Sequence, residues 1–182
     1  MLRKLAVAVA GVMLLPGLAA AQAPRGNLDV FNRVSSEVLT YPRYTVFDDV
    51  SIAVDGGAVT LTGKVTMPYK VKDIERRVSD VPGVTSVRNE ITVLPVSNFD
   101  DALRYQVSRA IYGSPEFREY AAMVDPPIHI IVDSGRVTLT GVVNSNAERM
   151  MAQSLATTVN ALSVVNRLKT DAEVEAELKT LD

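Results

Sequence analysis

Apolar positions along this chain recur at two periods, and the periods alternate in the same order twice. Val30, Phe31, Val34 and Val38 fall at helical spacing, with Asp29 near the start and Tyr41-Pro42 at the end. Ile52 and Val54 then alternate with Ser51 and Ala53, and Asp55-Gly56-Gly57 makes a turn. Val59, Leu61 and Val65 alternate with Thr60, Thr62 and Lys64, which predicts a β-hairpin with one apolar face. Val71, Ile74, Val78 and Val81 predict a second helix, whose other face carries Lys70, Lys72, Glu75, Arg76 and Arg77. Pro82-Gly83 stops that helix, and Val84–Leu94 reads as a third strand.

Downstream the order repeats. Leu103, Val107, Ala110 and Ile111 form a helix stripe, and Ser114-Pro115 falls where Tyr41-Pro42 did. A few extra residues around Met123–Pro127 precede the second hairpin. Ser145 and Glu148 have capping-box spacing and open a helix presenting Ala147, Met151, Leu155 and Leu162. The closing strand is shorter, at Val164–Thr170, and Asp171–Asp182 reads as a short acidic helix or tail. Segments Ile52–Val65 and Ile130–Val143 are identical at 10 of 14 positions at a constant offset of 78. Such a repeat marks a duplicated supersecondary unit. The predicted fold is therefore α+β: two tandem small domains, each helix-strand-strand-helix-strand with two helices on one face of a three-stranded sheet. They span 28–96 and 99–170, joined by Leu94-Pro95-Val96-Ser97-Asn98, and an acidic tail covers 171–182. Domains this small bury modest cores, so the two are expected to pack on each other.

The first residues carry an address. Arg3 and Lys4 form a basic start, Leu5–Leu15 is apolar, and small residues follow Pro16-Gly17, the order of a secretory signal peptide over 1–21. The apolar run is too short to span a bilayer comfortably. Cleavage after Ala21 or Ala23 is available, and the former avoids Pro24 at the next position. The chain has no cysteine, which excludes a lipid-modified cysteine at the cleavage site and any disulfide. Without Arg3 and Lys4 the chain has 17 basic and 21 acidic residues, which argues against nucleic acid as a partner.

Catalytic chemistry is hard to place. The one histidine, His129, falls by strand parity with Ile131 on the sheet's outer face, opposite Ile128, Ile130 and Val132, where a solvated side chain is expected. Asp48-Asp49, Asp55, Asp100-Asp101 and Asp133 lack the spacing of an oxygen-ligand loop. Asp55 and Asp133 suit hairpin turns, and Asp100-Asp101 suits a helix N-terminus. Gly56-Gly57 joins two strands and opens no helix, so it is not a phosphate loop. No catalytic residue, metal or cofactor is expected.

Three surfaces remain as binding candidates. On the helix over 101–112, Tyr105, Arg109 and Tyr112 fall opposite the apolar stripe with Arg104 between, a set suited to a phospholipid interface. The basic face Lys70, Lys72, Arg76 and Arg77 is diluted by Asp73 and Glu75 and reads as solvated. On the outer sheet face of the second domain, Ile131 and Val142 replace Ala53 and Lys64 of the first, which favours docking between the domains.

The D-G/S-G-x-V-T-L-T-G-x-V hairpin, then a helix, then Gly83-Val84-x-x-Val87-x-Asn89, resembles the BON domain (bacterial OsmY and nodulation) in two tandem copies. The second copy has Ala161-Leu162 in place of Gly-Val, and Asn166 aligns with Asn89 after a one-residue gap. The resemblance implies an exported envelope protein, often periplasmic, associated with phospholipid contact, envelope integrity and osmotic or other stress, and without enzymatic activity. It also implies structural, turn-forming roles for Gly57, Gly63, Gly135 and Gly141. The expected function is non-catalytic binding to a phospholipid surface through the second domain, weak and reversible. The alternative is a periplasmic adaptor whose partner is an envelope protein.

Overall fold

A computed structural model of the chain describes residues 26–179; the signal segment predicted over 1–21 lies outside them. The first unit runs α1 (Asn27–Leu39), β1 (Asp49–Asp55), β2 (Ala58–Val65), α2 (Pro68–Ser79) and β3 (Ser86–Val93). β1 and β2 form an antiparallel hairpin, β3 joins β2 in parallel, and the strand order is β1-β2-β3. A parallel partner needs a crossover, and α2 supplies it. Val30, Val34 and Val38 of α1 and Ile74 and Val78 of α2 close over Val59, Leu61 and Val65 of β2. Their helical and alternating spacings place all of them on one side of the sheet.

The second unit repeats this with α3 (Asn98–Tyr112), β4 (Ile128–Asp133), β5 (Arg136–Val143), α5 (Asn146–Thr157), β6 (Ser163–Asn166) and β7 (Lys169–Thr170). Between α3 and β4 the extra residues form a 3-10 turn (Pro115–Phe117) and the short α4 (Arg118–Ala121), which insert Phe117 and Tyr120 into the core. α6 (Asp171–Leu178) follows the sheet, opened by a capping box of Thr170 and Glu173. The fold is thus α+β with two sheets, as the periodicity implied. Asn89 and Asn166 do the same work: each side-chain amide donates to a helix carbonyl, of Val71 at 3.1 Å and of Arg149 at 2.8 Å, and so ties the last strand to the crossover helix.

Several side chains depart from the spacing. Lys70 is not on a solvated basic face: it is 3% exposed and pairs at 2.5 Å with Asp48, which is fully buried. The α5 stripe consists of Ala152 and Ala156 with Leu155 partly buried beside them; Ala147, Met151 and Leu162 are exposed. The closing strand is interrupted at Arg167-Leu168, where Leu168 turns into the core. Of the four signature glycines, Gly57 and Gly135 sit in hairpin turns, at φ 85° and 76°. Gly63 and Gly141 lie inside β2 and β5 instead, where a Cβ would stand 2.1 Å from the Asp49 carbonyl oxygen and 1.9 Å from that of Pro127.

The two units dock through the segment before β1. The Ile130 amide donates to the Val46 carbonyl at 2.6 Å, and Lys64 pairs with Asp133 at 2.5 Å. Phe47 packs edge-on against Tyr105, and the Tyr44 ring lies 5.4 Å from that of His129. His129 is therefore 7% exposed rather than solvated, and Ile131 is buried beside it. Burial and the nearby Asp49 carboxylate push the Tyr44 phenol pKa well up. Its hydroxyl accepts from the Val50 amide at 3.1 Å.

Candidate functional site

α3 occupies the place in the second unit that α1 has in the first, and the outer surfaces of the two helices differ. Ser97 caps it by accepting from the Asp100 amide. Asp100 does more than favour the helix dipole. It is 2% exposed, and its carboxylate accepts from the amides of Ser134 at 2.9 Å and Gly135 at 2.8 Å. This holds the β4–β5 turn, in which Ser134 adopts φ 53°. Asn27 does the same in the first unit, accepting from Gly56 at 2.9 Å. The start of each first helix is thereby fixed to the tip of its hairpin.

The clamp gathers apolar side chains at the start of α3. Phe99 and Leu162 both lie against Gly135, within 3.0 to 3.4 Å of where its Cβ would stand, yet they are 56% and 75% exposed. Val96, in the connection just before, is also exposed. Further along the helix Tyr105 is 63% exposed, and Ala102, Gln106 and Arg109 are exposed as well. At 100° per residue these positions and Phe99 occupy one continuous arc opposite Leu103, Val107 and Ile111.

The four residues predicted together are not brought together. Tyr105 and Arg109 lie on the outer face. Arg104 is 4% exposed, donates to the Val132 carbonyl at 2.8 Å and pairs with Asp101. Its place on the helix borders the buried stripe, and an unpaired carbonyl at the end of β4 takes its guanidinium. Tyr112 is half-buried within its own domain. Its hydroxyl bonds the Ile128 carbonyl and accepts from the Ile128 amide at 3.2 Å, and burial pushes its phenol pKa up. The face is made instead by Phe99, Leu162, Tyr105 and Arg109. Leu162 signalled itself only as a departure: it stands where the first copy has Val84, which is half-buried against the core.

α1 offers no equivalent. Its outer residues Asn32 and Ser36 are polar, and Arg33 pairs with Asp29 at 3.0 Å. Among the described residues no helix is long and apolar enough to cross a membrane.

Comparison with known proteins follows the same division. The BON domain profile matches residues 33–95 and again 100–172, and the chain belongs to the BON domain family. Osmotically-inducible protein Y of Escherichia coli (strain K12) is 30% identical over 125 residues, which cover 67% of this chain and 62% of that protein. The match therefore spans less than two thirds of the relative. Among solved structures, CdsD, a structural protein of the type III secretion system of Chlamydia trachomatis, is 14% identical. That match covers 83% of this chain and 97% of CdsD at a TM-score of 0.28. The CdsD C-terminal domain gives 14% identity, 77% and 96% coverage, and the same TM-score. A TM-score this low carries no argument for fold or function.

Proposed function

We propose that this BON-domain protein is a non-catalytic, exported component of the cell envelope that serves in osmotic stress. Its outer α3 face makes weak, reversible contact with phospholipid. The likeness to an osmotically inducible protein supports the stress assignment, and the basic-then-apolar segment at the start of the chain supports export to the periplasm. The contact rests on one observation: Phe99, Tyr105 and Leu162 are more than half exposed on the same domain, with Arg109 on the same helix face.

Apolar rings and a guanidinium beside them suit the boundary where acyl chains meet phosphates. Burying the exposed parts of three such side chains yields about 3–6 kcal/mol, from roughly 1.5–3 kcal/mol for each whole side chain. That is at or below the grip of a single acyl anchor, so attachment is reversible.

Vesicle flotation of the mature chain, residues 22–182, tests this with neutral and anionic liposomes at low and physiological salt. Binding that Phe99→Ala with Leu162→Ala abolishes, in a chain that keeps its circular dichroism, is the expected result. Unchanged flotation of that double variant, or no flotation of the parent chain, refutes the lipid contact and leaves an envelope-protein partner as the reading to pursue.

A further inference from the structure

Docking turns the outer faces of the two sheets toward each other and leaves a cleft of about 610 Å³ between them. This surface is separate from α3 and plays no part in the lipid reading. The first domain lines it with Asp49, Lys64 and Glu90, and the second with Asp133, Arg136 and Arg167. Lys64 and Asp133 neutralise each other across the gap at 2.5 Å. What remains is divided by wall: two carboxylates on the first domain, two guanidiniums on the second. Glu90 is partly satisfied by Arg88 at 2.6 Å. Asp49 and Arg167 have no ion-pair partner among the described residues, although both line the cleft.

A ligand of one charge sign would be attracted by one wall and repelled by the other. A ligand with a cationic and an anionic end satisfies both. Between the charged groups the lining is mainly threonine, Thr62 and Thr92 on the first domain and Thr138 on the second, with the Thr140 hydroxyl buried beneath, and Ile131 is the one large apolar side chain among the lining residues. Hydroxyl-rich walls suit a ligand whose middle donates and accepts hydrogen bonds. The volume is in the range of sites that hold whole small ligands, and a single amino acid would leave most of it empty. We propose that the interdomain cleft binds a short peptide with free termini. Its ammonium group sits at Asp49 and Glu90 and its carboxylate at Arg136 and Arg167.

The test is titration of tri-alanine into the isotope-labelled mature chain, read by amide chemical shifts. Shifts confined to cleft residues such as Thr62, Thr92, Ile131 and Thr138 are expected. Acetylating and amidating the two ends should remove them. Arg167→Gln and Asp49→Asn should each weaken binding by about tenfold, the size expected for losing one charge-assisted hydrogen bond. Arg136→Gln, also at an exposed position, is a third variant in case either of the others disturbs the fold. Absence of shifts, equal binding of the capped peptide, or unaltered affinity in the variants overturns the proposal. So does alanine binding as tightly as tri-alanine.

Discussion

Replacing Asp48 by alanine should destabilise the first domain by about 3–5 kcal/mol while leaving the second intact. The carboxylate is fully buried and accepts five hydrogen bonds. One oxygen takes the Thr45 amide at 2.9 Å, the Thr45 hydroxyl at 2.8 Å and the Lys70 ammonium at 2.5 Å. The other takes the Thr66 amide at 2.7 Å and the Thr66 hydroxyl at 2.8 Å. Alanine removes the acceptor of all five donors and leaves the Lys70 ammonium, which is 3% exposed, with the Thr66 hydroxyl at 2.8 Å as its remaining partner. Removing one partner of a buried pair costs about 3–5 kcal/mol. A domain of this size holds only about 3–10 kcal/mol in total, at 0.05–0.15 kcal/mol per residue.

Among the described residues the second domain has no such pair. There the Tyr120 hydroxyl donates to Glu148 at 2.7 Å, and both receive the Asn144 amide at 3.0 Å. Burial and that carboxylate push the Tyr120 phenol to about 12. The chain contains no tryptophan, so hydrogen exchange by mass spectrometry is the assay, with peptides from 49–93 compared with peptides from 128–143. Exchange in the first set should accelerate by about two to four orders of magnitude, the lost stability at 1.4 kcal/mol per decade. Asp48→Asn with Lys70→Met removes both charges, keeps an acceptor and should cost less than Asp48→Ala despite changing two residues. Acceleration under tenfold, or equal acceleration in both domains, would refute the reasoning.

Gly141→Ala should destabilise the second domain by more than 2 kcal/mol or so, since strain at φ 103° adds to a clash with the Pro127 carbonyl oxygen. Gly56→Ala, with nothing within 4 Å of the new Cβ, should cost only about 1–2 kcal/mol in urea denaturation, and equal costs would sink the steric argument. The Asp133 carboxyl is held below its ordinary pKa by hydrogen bonds from Lys64 and Ser134. Its contribution to docking is therefore complete above the usual carboxylate range and lost as pH falls through the lowered value. Carboxyl-carbon NMR should show its midpoint rising toward the ordinary value in Lys64→Ala; an unmoved midpoint would mean that Lys64 is not its partner in solution.

The hairpins, the helix order and the duplication are legible in the chain because they rest on local rules: period two, period 3.6, and glycine where a turn needs positive φ. Strand parity even placed His129 and Ile131 on the outer face correctly. It could not tell that this face is covered at His129, because the cover is Tyr44 from the other domain. Lys70 looked like solvent-facing charge for the same reason: its partner is 22 residues away, and only the packed loop brings Asp48 to it. Arg104 misled because it borders the buried stripe, and Tyr112 because it ends α3 and reaches from the outer side to the Ile128 backbone; at either place a long polar side chain can turn in to meet a backbone group or out to water. Spacing fixes the direction in which a Cβ points. Which partner waits at the end of a long side chain is decided by contacts between residues far apart in sequence, and those exist only once the two sheets are folded and docked.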